Sequence, residues 1–267
     1  QLVRFHAARF VPNNAIFIVV GDVKKDEFLA DLNELFGDWS QGSGVSHDFP
    51  EPPARSARSL TIVDRPGSAQ TNIVLTNLGV KRDDPDYFPL IVMNQVLGAG
   101  ASSRVFMNLR EEKGYTYGAY TRLETKKLAG EFEATAEVRT SVTGDSLKEF
   151  FYELERIRTD LVGDEELADA KNFLTGVFPL RAETQSGLTT LIVNQHLYGL
   201  PEDYLQTYRD HVDAVTPEQV LAVAQRCVRP DEMAIVIVGD ADEVLPQVDS
   251  YAENVEIFDT DGHPQDV

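Results

Sequence analysis

Val11-Pro12-Asn13-Asn14-Ala15-Ile16-Phe17-Ile18-Val19-Val20-Gly21-Asp22 has a second version in the same chain, Val228-Arg229-Pro230-Asp231-Glu232-Met233-Ala234-Ile235-Val236-Ile237-Val238-Gly239-Asp240. From proline to Gly-Asp the two align without a gap, 218 residues apart. Each reads as a proline turn, a short polar link, a buried β-branched strand and a Gly-Asp exit. Two apolar strands can resemble one another through composition alone. The matching turn chemistry at both ends argues instead for a duplication of this period. The first copy is then the end of one mixed α/β domain, the second closes a complete copy, and the chain is expected to be a piece of something longer.

Outward from the first copy, Ala15 to Val20 is expected as a strand, and Phe28, Leu29, Leu32, Leu35 and Phe36 recur at helical spacing. Residues 38–59 hold glycines, serines and three prolines without periodicity, as a linker does. The organisation expected is a remnant of a preceding homologous domain over 1–37, the linker, a complete domain over 60–248 and an acidic, frayed tail over 249–267.

Within the second copy, Leu60 to Val63 and Gln70 to Asn77 read as strands. Asp84-Pro85 reads as an N-cap with proline at N1, opening a helix that runs to Gly98, and a further helix covers about Ser103 to Lys113. Tyr115 to Leu123 and Glu131 to Val138 alternate around Leu128-Ala129-Gly130, with Phe132, Ala134, Ala136 and Val138 facing a core. Two amphipathic helices follow, one through Leu147, Phe150, Leu154 and Ile157 and one capped by Asp164, and then a helix near Thr184 to Leu197 and another after Pro201. Thr216-Pro217-Glu218-Gln219 is a capping box that starts the last helix. Strands first, helices later and one returning strand describe an α+β fold: a largely antiparallel sheet with helices packed on one face.

Lysine and arginine total 24 against 44 aspartate and glutamate, a net charge of −20 without a basic stripe, which argues against nucleic acid. The acidity suits either attraction of basic peptides or a solvated surface. No apolar run approaches the ~18–20 residues of a membrane span. The single Cys227 excludes an internal disulfide framework and leaves the redox compartment open.

Leu97-Gly98-Ala99-Gly100-Ala101-Ser102-Ser103 looks superficially like a dinucleotide fingerprint, but a helix precedes it and no lysine follows, so a glycine turn between helices fits better. The histidines His6, His47, His196, His211 and His263 never recur three or four apart, as a zinc helix requires. No serine nucleophile elbow is present. What remains is Asn108-Leu109-Arg110-Glu111-Glu112-Lys113-Gly114-Tyr115-Thr116-Tyr117, where a helix end carrying arginine meets a tyrosine-rich strand. Arg110 and Tyr117 could together grip a peptide carbonyl. Equally, Arg110 could pair with Glu111 or Glu112 while Tyr117 fills the sheet.

Phe5-His6 through Pro12-Asn13-Asn14 to Gly21-Asp22-Val23, Leu97-Gly98 through Ser102-Ser103-Arg104 to Leu109-Arg110-Glu111 and Tyr117, His196-Leu197-Tyr198-Gly199 and Val238-Gly239-Asp240 carry a likeness over nearly the whole chain. The chain resembles the pitrilysin, insulinase and mitochondrial processing peptidase family of zinc metallopeptidases. The resemblance implies paired, duplicated domains, in one chain or two, closing around an unfolded peptide. It places the inverted zinc helix, and the zinc-activated water with its glutamate base, in a partner domain upstream of this chain, so no metal is expected here. It implies that Arg110 and Tyr117 reach the substrate at that zinc, and it makes His6 structural. The function expected is the substrate-binding, non-catalytic half of a zinc-dependent metalloendopeptidase, in a dimer of homologous halves. The alternative is a non-catalytic structural or assembly subunit. A bacterial cytoplasm or periplasm is favoured over a mitochondrial matrix.

Overall fold

A computed structural model describes residues 1–43 and 48–265. His47 and the rest of 44–47 in the linker, and 266–267 in the tail, fall outside the described residues. The helices and strands run α1 (Leu2–Arg9), α2 (Lys25–Phe36), β1 (Ser59–Asp64), β2 (Gln70–Gly79), α3 (Tyr87–Leu97), α4 (Arg104–Phe106), β3 (Thr116–Glu124), β4 (Gly130–Arg139), α5 (Thr143–Thr159), α6 (Asp164–Ala182), α7 (Gln185–Leu197), α8 (Tyr204–Asp213), α9 (Pro217–Cys227), β5 (Ala234–Gly239), α10 (Ala241–Val248), β6 (Val255–Phe258) and β7 (Pro264–Gln265). They group into two units. One comprises Gln1–Pro52 with Phe178–Glu202, the other Pro53–Val177 with Asp203–Val267.

The larger unit is built on one sheet of order β3-β4-β2-β5-β1-β6-β7. Four of its pairings are antiparallel, and β1 lies parallel to both β5 and β6. Its core face follows from strict alternation. Leu60 and Ile62, Ile73 and Leu75, Phe132, Ala134 and Val138, and Ile235 and Ile237 are all fully buried. Leu90, Met93 and Leu97 of α3, and Leu147, Phe150, Leu154 and Ile157 of α5, are fully buried as well. Each large apolar side chain so buried contributes about 1.5–3 kcal/mol. The α+β class with a mainly antiparallel sheet and helices is the architecture found.

The capping box at α9 forms as expected. Gln219 N–H donates to Thr216 Oγ1 at 3.3 Å, and Thr216 N–H donates to Gln219 Oε1 at 2.9 Å. The start of α3 differs from expectation: the helix opens at Tyr87, after a turn in which Asp86 N–H donates to Asp84 Oδ1 at 2.9 Å. The Asp84 carboxylate is instead held by Arg226 of α9, with two bonds of 2.8 Å. Over its described residues the tail is not frayed. Val255 to Phe258 pairs with β1 and buries Ile257, because the chain returns through α10 to the open edge of β1.

Pro12–Asn14 and Pro230–Glu232 each form a single 3-10 turn, and Gly-Asp precedes or leads toward a helix in both passages. The passages then part. β5 has β1 on one side and β2 on the other, with every second residue buried, whereas Ala15 to Val20 is no strand. A strand needs a neighbour for its N–H and C=O groups, and none of the described residues supplies one there. Ile16, Phe17 and Val19 are consequently 67, 62 and 40% exposed. Within this smaller unit, Phe17 touches Phe28 and Phe36, and Phe36 touches Trp39.

Candidate functional site

The helix expected at Ser103 to Lys113 begins as α4 and widens into a π-turn over Met107–Glu112. Lys113 N–H donates to Asn108 O at 3.0 Å, five residues back, and Gly114 reverses the chain with φ +64. Only glycine takes that left-handed conformation without strain. Tyr115 N–H then donates to Leu109 O at 3.0 Å, and β3 starts at Thr116.

Arg110 sits on this π-turn with its side chain 44% exposed. Its guanidinium lies 4.8 Å from the centroid of the Phe106 ring, and Phe106 in turn contacts Tyr120 of β3. Its carboxylate partner is Glu111 at 3.1 Å, itself 48% exposed. Such a pair is worth only about 0.2–1 kcal/mol, so a ligand oxygen displaces it easily. The ring contact orients the guanidinium plane.

Tyr117 is 89% exposed, beside a register shift between Thr116 and Ala119. The bulge turns it away from the alternation of β3, and Thr116 Oγ1 fastens the irregular turn through Glu137 O at 2.6 Å and Gly118 N–H at 3.1 Å. Tyr117 borders a cavity of about 260 Å³ with Gln70, Tyr115, Glu137 and Arg139, and Arg110 is not among that cavity's walls. The two residues thus flank one chain reversal without a hydrogen bond between them. Both expose donor groups, a guanidinium fork and a phenol, suited to a carbonyl or oxyanion.

The glycine turn has a packing role. Thr121 N–H donates to Gly98 O at 2.9 Å, and a Cβ on Gly98 would collide with the Thr121 backbone nitrogen and hydroxyl. Cys227 is buried, and burial pushes its thiol above the ordinary value. His6 stacks on Phe10, His211 stacks on Phe88, and His263 contacts Asp259. Among the described residues no three His, Cys, Asp or Glu side chains gather as a metal would require, so these residues do not fit a zinc ion. No helix among them is long and apolar enough to cross a membrane.

Sequence reasoning missed the polar cluster under the π-turn. Asn108 and Glu153 are buried, as is Arg104, which forms a bidentate pair with Glu166 at 2.7 Å. A signal was present: Glu153 falls three residues after Phe150 and four before Ile157, an acid inside the apolar stripe of α5. An acid there needs a partner.

A family model described as the peptidase M16 inactive domain matches residues 1–174. A Streptomyces coelicolor protein described as an uncharacterized zinc protease is 26% identical over 230 residues, covering 83% of this chain and 49% of that protein. A Helicobacter pylori protein described as the non-peptidase homolog YmxG is 27% identical over 220 residues, covering 79% of this chain and 48% of its own length. The chain spans about half the length of the curated relatives it matches. The crystal structure of a peptidase M16 inactive domain from Pseudomonas fluorescens superposes with a TM-score of 0.81 at 28% identity, over 90% of this chain and 57% of that one.

Proposed function

The chain belongs to the peptidase M16 family, matched through its inactive domain, and from that premise we propose that it is the substrate-binding, zinc-free half of a zinc-dependent metalloendopeptidase. The observation that carries the reading is the paired exposure of Arg110 and Tyr117 on either side of one reversal, each offering donors and neither committed to a strong partner. The zinc is expected on a homologous partner domain. That half is either upstream in the same protein or a separate subunit. Residues 1–37, with an apolar segment that lacks strand partners, would then be the end of that homologous domain, repeated 218 residues later.

In this reading an unfolded peptide lies between the halves. Arg110 donates from its fork to the carbonyl next to the scissile bond, and Tyr117 donates its phenol proton toward the oxygen on which negative charge develops. Each donor acts only when the halves close.

With the zinc-bearing half present, Arg110→Ala and Tyr117→Phe are each expected to lower peptidase turnover about tenfold or more without unfolding the domain. Unchanged turnover in both would return them to a surface ion pair and a sheet residue. A second reading, a structural subunit without peptidase activity, is favoured by the description of the Helicobacter pylori relative as a non-peptidase homolog. Loss of assembly with a partner, with no peptidase activity in any pairing, would favour it.

A further inference from the structure

The segment that carries Arg110 is fastened from below by polar side chains. Arg104, Asn108 and Lys113 point to acids on two helices: Arg104 to Glu166 of α6, Asn108 Nδ2 to both Glu149 Oε2 at 3.0 Å and Glu153 Oε1 at 2.9 Å of α5, and Lys113 to Glu149 at 3.3 Å. The spacing of these three is four residues, then five. In a regular α-helix, residues 104, 108 and 112 would share a face, and residue 113 would be turned about 140° from the middle of it. The π-turn inserts the extra residue that brings Lys113, rather than Glu112, over the acids.

A widened π-turn inside a helix is rare and is frequently found at functional sites. The hold here is electrostatic and buried at its centre, where Asn108 is 6% and Glu153 3% exposed, with Lys113 at its open rim. Asn108 Oδ1 has no hydrogen-bond partner, so the grip rests on Nδ2 alone, whose two hydrogens serve two carboxylates. The reverse amide orientation would aim an oxygen at two acids. On the other side of the same turn, Arg110 is turned outward over Phe106.

We propose that Asn108 is a positioning residue for Arg110: by bridging Glu149 and Glu153 it keeps the π register, and the π register aims the guanidinium at the substrate. This rests on the reading of Arg110 as a substrate contact. Asn108→Leu removes the donor and leaves Glu153 buried without it, which destabilises the fold. Asn108→Leu with Glu153→Leu removes the buried donor and the buried acid together, while Glu149 keeps Lys113 and Arg156, now without Glu153, keeps Asp160; replacing both buried partners by apolar groups costs far less than removing one.

The experiment measures turnover, peptide KM, thermal unfolding and backbone amide exchange across 107–115 in the assembly with the zinc-bearing half. Both the single and the double variant are expected to lose about tenfold or more in kcat, with KM within about threefold of the parent. Exchange at the Lys113 amide should rise about tenfold, and the double variant should recover the parent's melting temperature without its turnover. Full recovery of turnover in the double variant would overturn the proposal and leave Asn108 a purely structural residue. Loss of turnover in Arg110→Ala with parental turnover in Asn108→Leu would overturn it while sparing the Arg110 contact. Parental turnover in Arg110→Ala would sink both.

Discussion

Gly114 holds the reversal between the two candidate donors, and its φ of +64 is what a non-glycine residue resists. Nothing lies within 4 Å of where a Cβ would stand, so conformational strain is the main cost of a side chain there. Gly114→Ala is expected to lower stability by about 1 kcal/mol, and Gly114→Asn by less, because asparagine tolerates the left-handed region. Denaturant unfolding of the two variants checks this, and an alanine variant as stable as the parent would refute it. At this scale the sequence announces Arg110, Tyr117 and the glycine, since each residue type limits what its position can do. It does not announce the register of the turn. Helical periodicity reads the same for α4 continued as α and for α4 widened into π, and only Glu149 and Glu153, supplied from α5, decide between them.

Between elements, one charged tie joins the start of α3 to the end of α9. Arg226 donates to both oxygens of Asp84 at 2.8 Å and to Asp86 at 3.0 Å. The hydrogen bond from Arg226 holds the Asp84 carboxyl below its ordinary 3.8, against the opposing effect of burial. A carboxyl lowered on folding adds stability that is fully present above its unfolded value and is lost as pH falls through its folded one. Arg226→Met, which keeps an apolar stem, should therefore cost about 1 kcal/mol at pH 7, given that Arg226 is 44% exposed and screened by solvent. The gap between parent and variant should persist at pH 5 and close below 3.8; melting curves across that range test it, and a gap independent of pH would refute the assignment. Asp84 does not cap α3 because the helix opens later than the sequence suggests, with Asp86 at the N-cap, and the Asp84 carboxylate closes the preceding turn on the Asp86 N–H while it holds Arg226. β2, β4 and α5 were legible because each repeats a period over many residues, and α9 because its capping box marks its start. Four-residue β6 and the short α10 were not, since so short a pattern is fixed by the strand it pairs with rather than by itself.

At the scale of the whole molecule, the two units differ in what they bury. Among the described residues of Gln1–Pro52 and Phe178–Glu202, Val11 alone is buried, while Phe10, Ile16, Phe17 and Leu35 stand 55, 67, 62 and 73% exposed. A unit with so small a core cannot offset the entropy of ordering its chain, which runs at ~1–2 kcal/mol per residue. The two similar passages make the contrast sharp: Ala234 to Gly239 is central in a sheet, and Ile16 to Gly21, a like apolar run behind the same proline turn, is not. Strand formation there is decided by neighbours that no local pattern encodes. The expected outcome in the chain by itself is that the amides of α2 and α7 exchange at least about tenfold faster than those of β2 and β4. Adding the homologous zinc-bearing half should slow exchange across residues 15–20 in particular, because those N–H groups would gain strand partners. Hydrogen exchange read by mass spectrometry resolves both segments. Protection of residues 15–20 equal to that of β2 without any partner would show that this segment is satisfied within the chain, and the reading of residues 1–37 as the end of a homologous domain would fall.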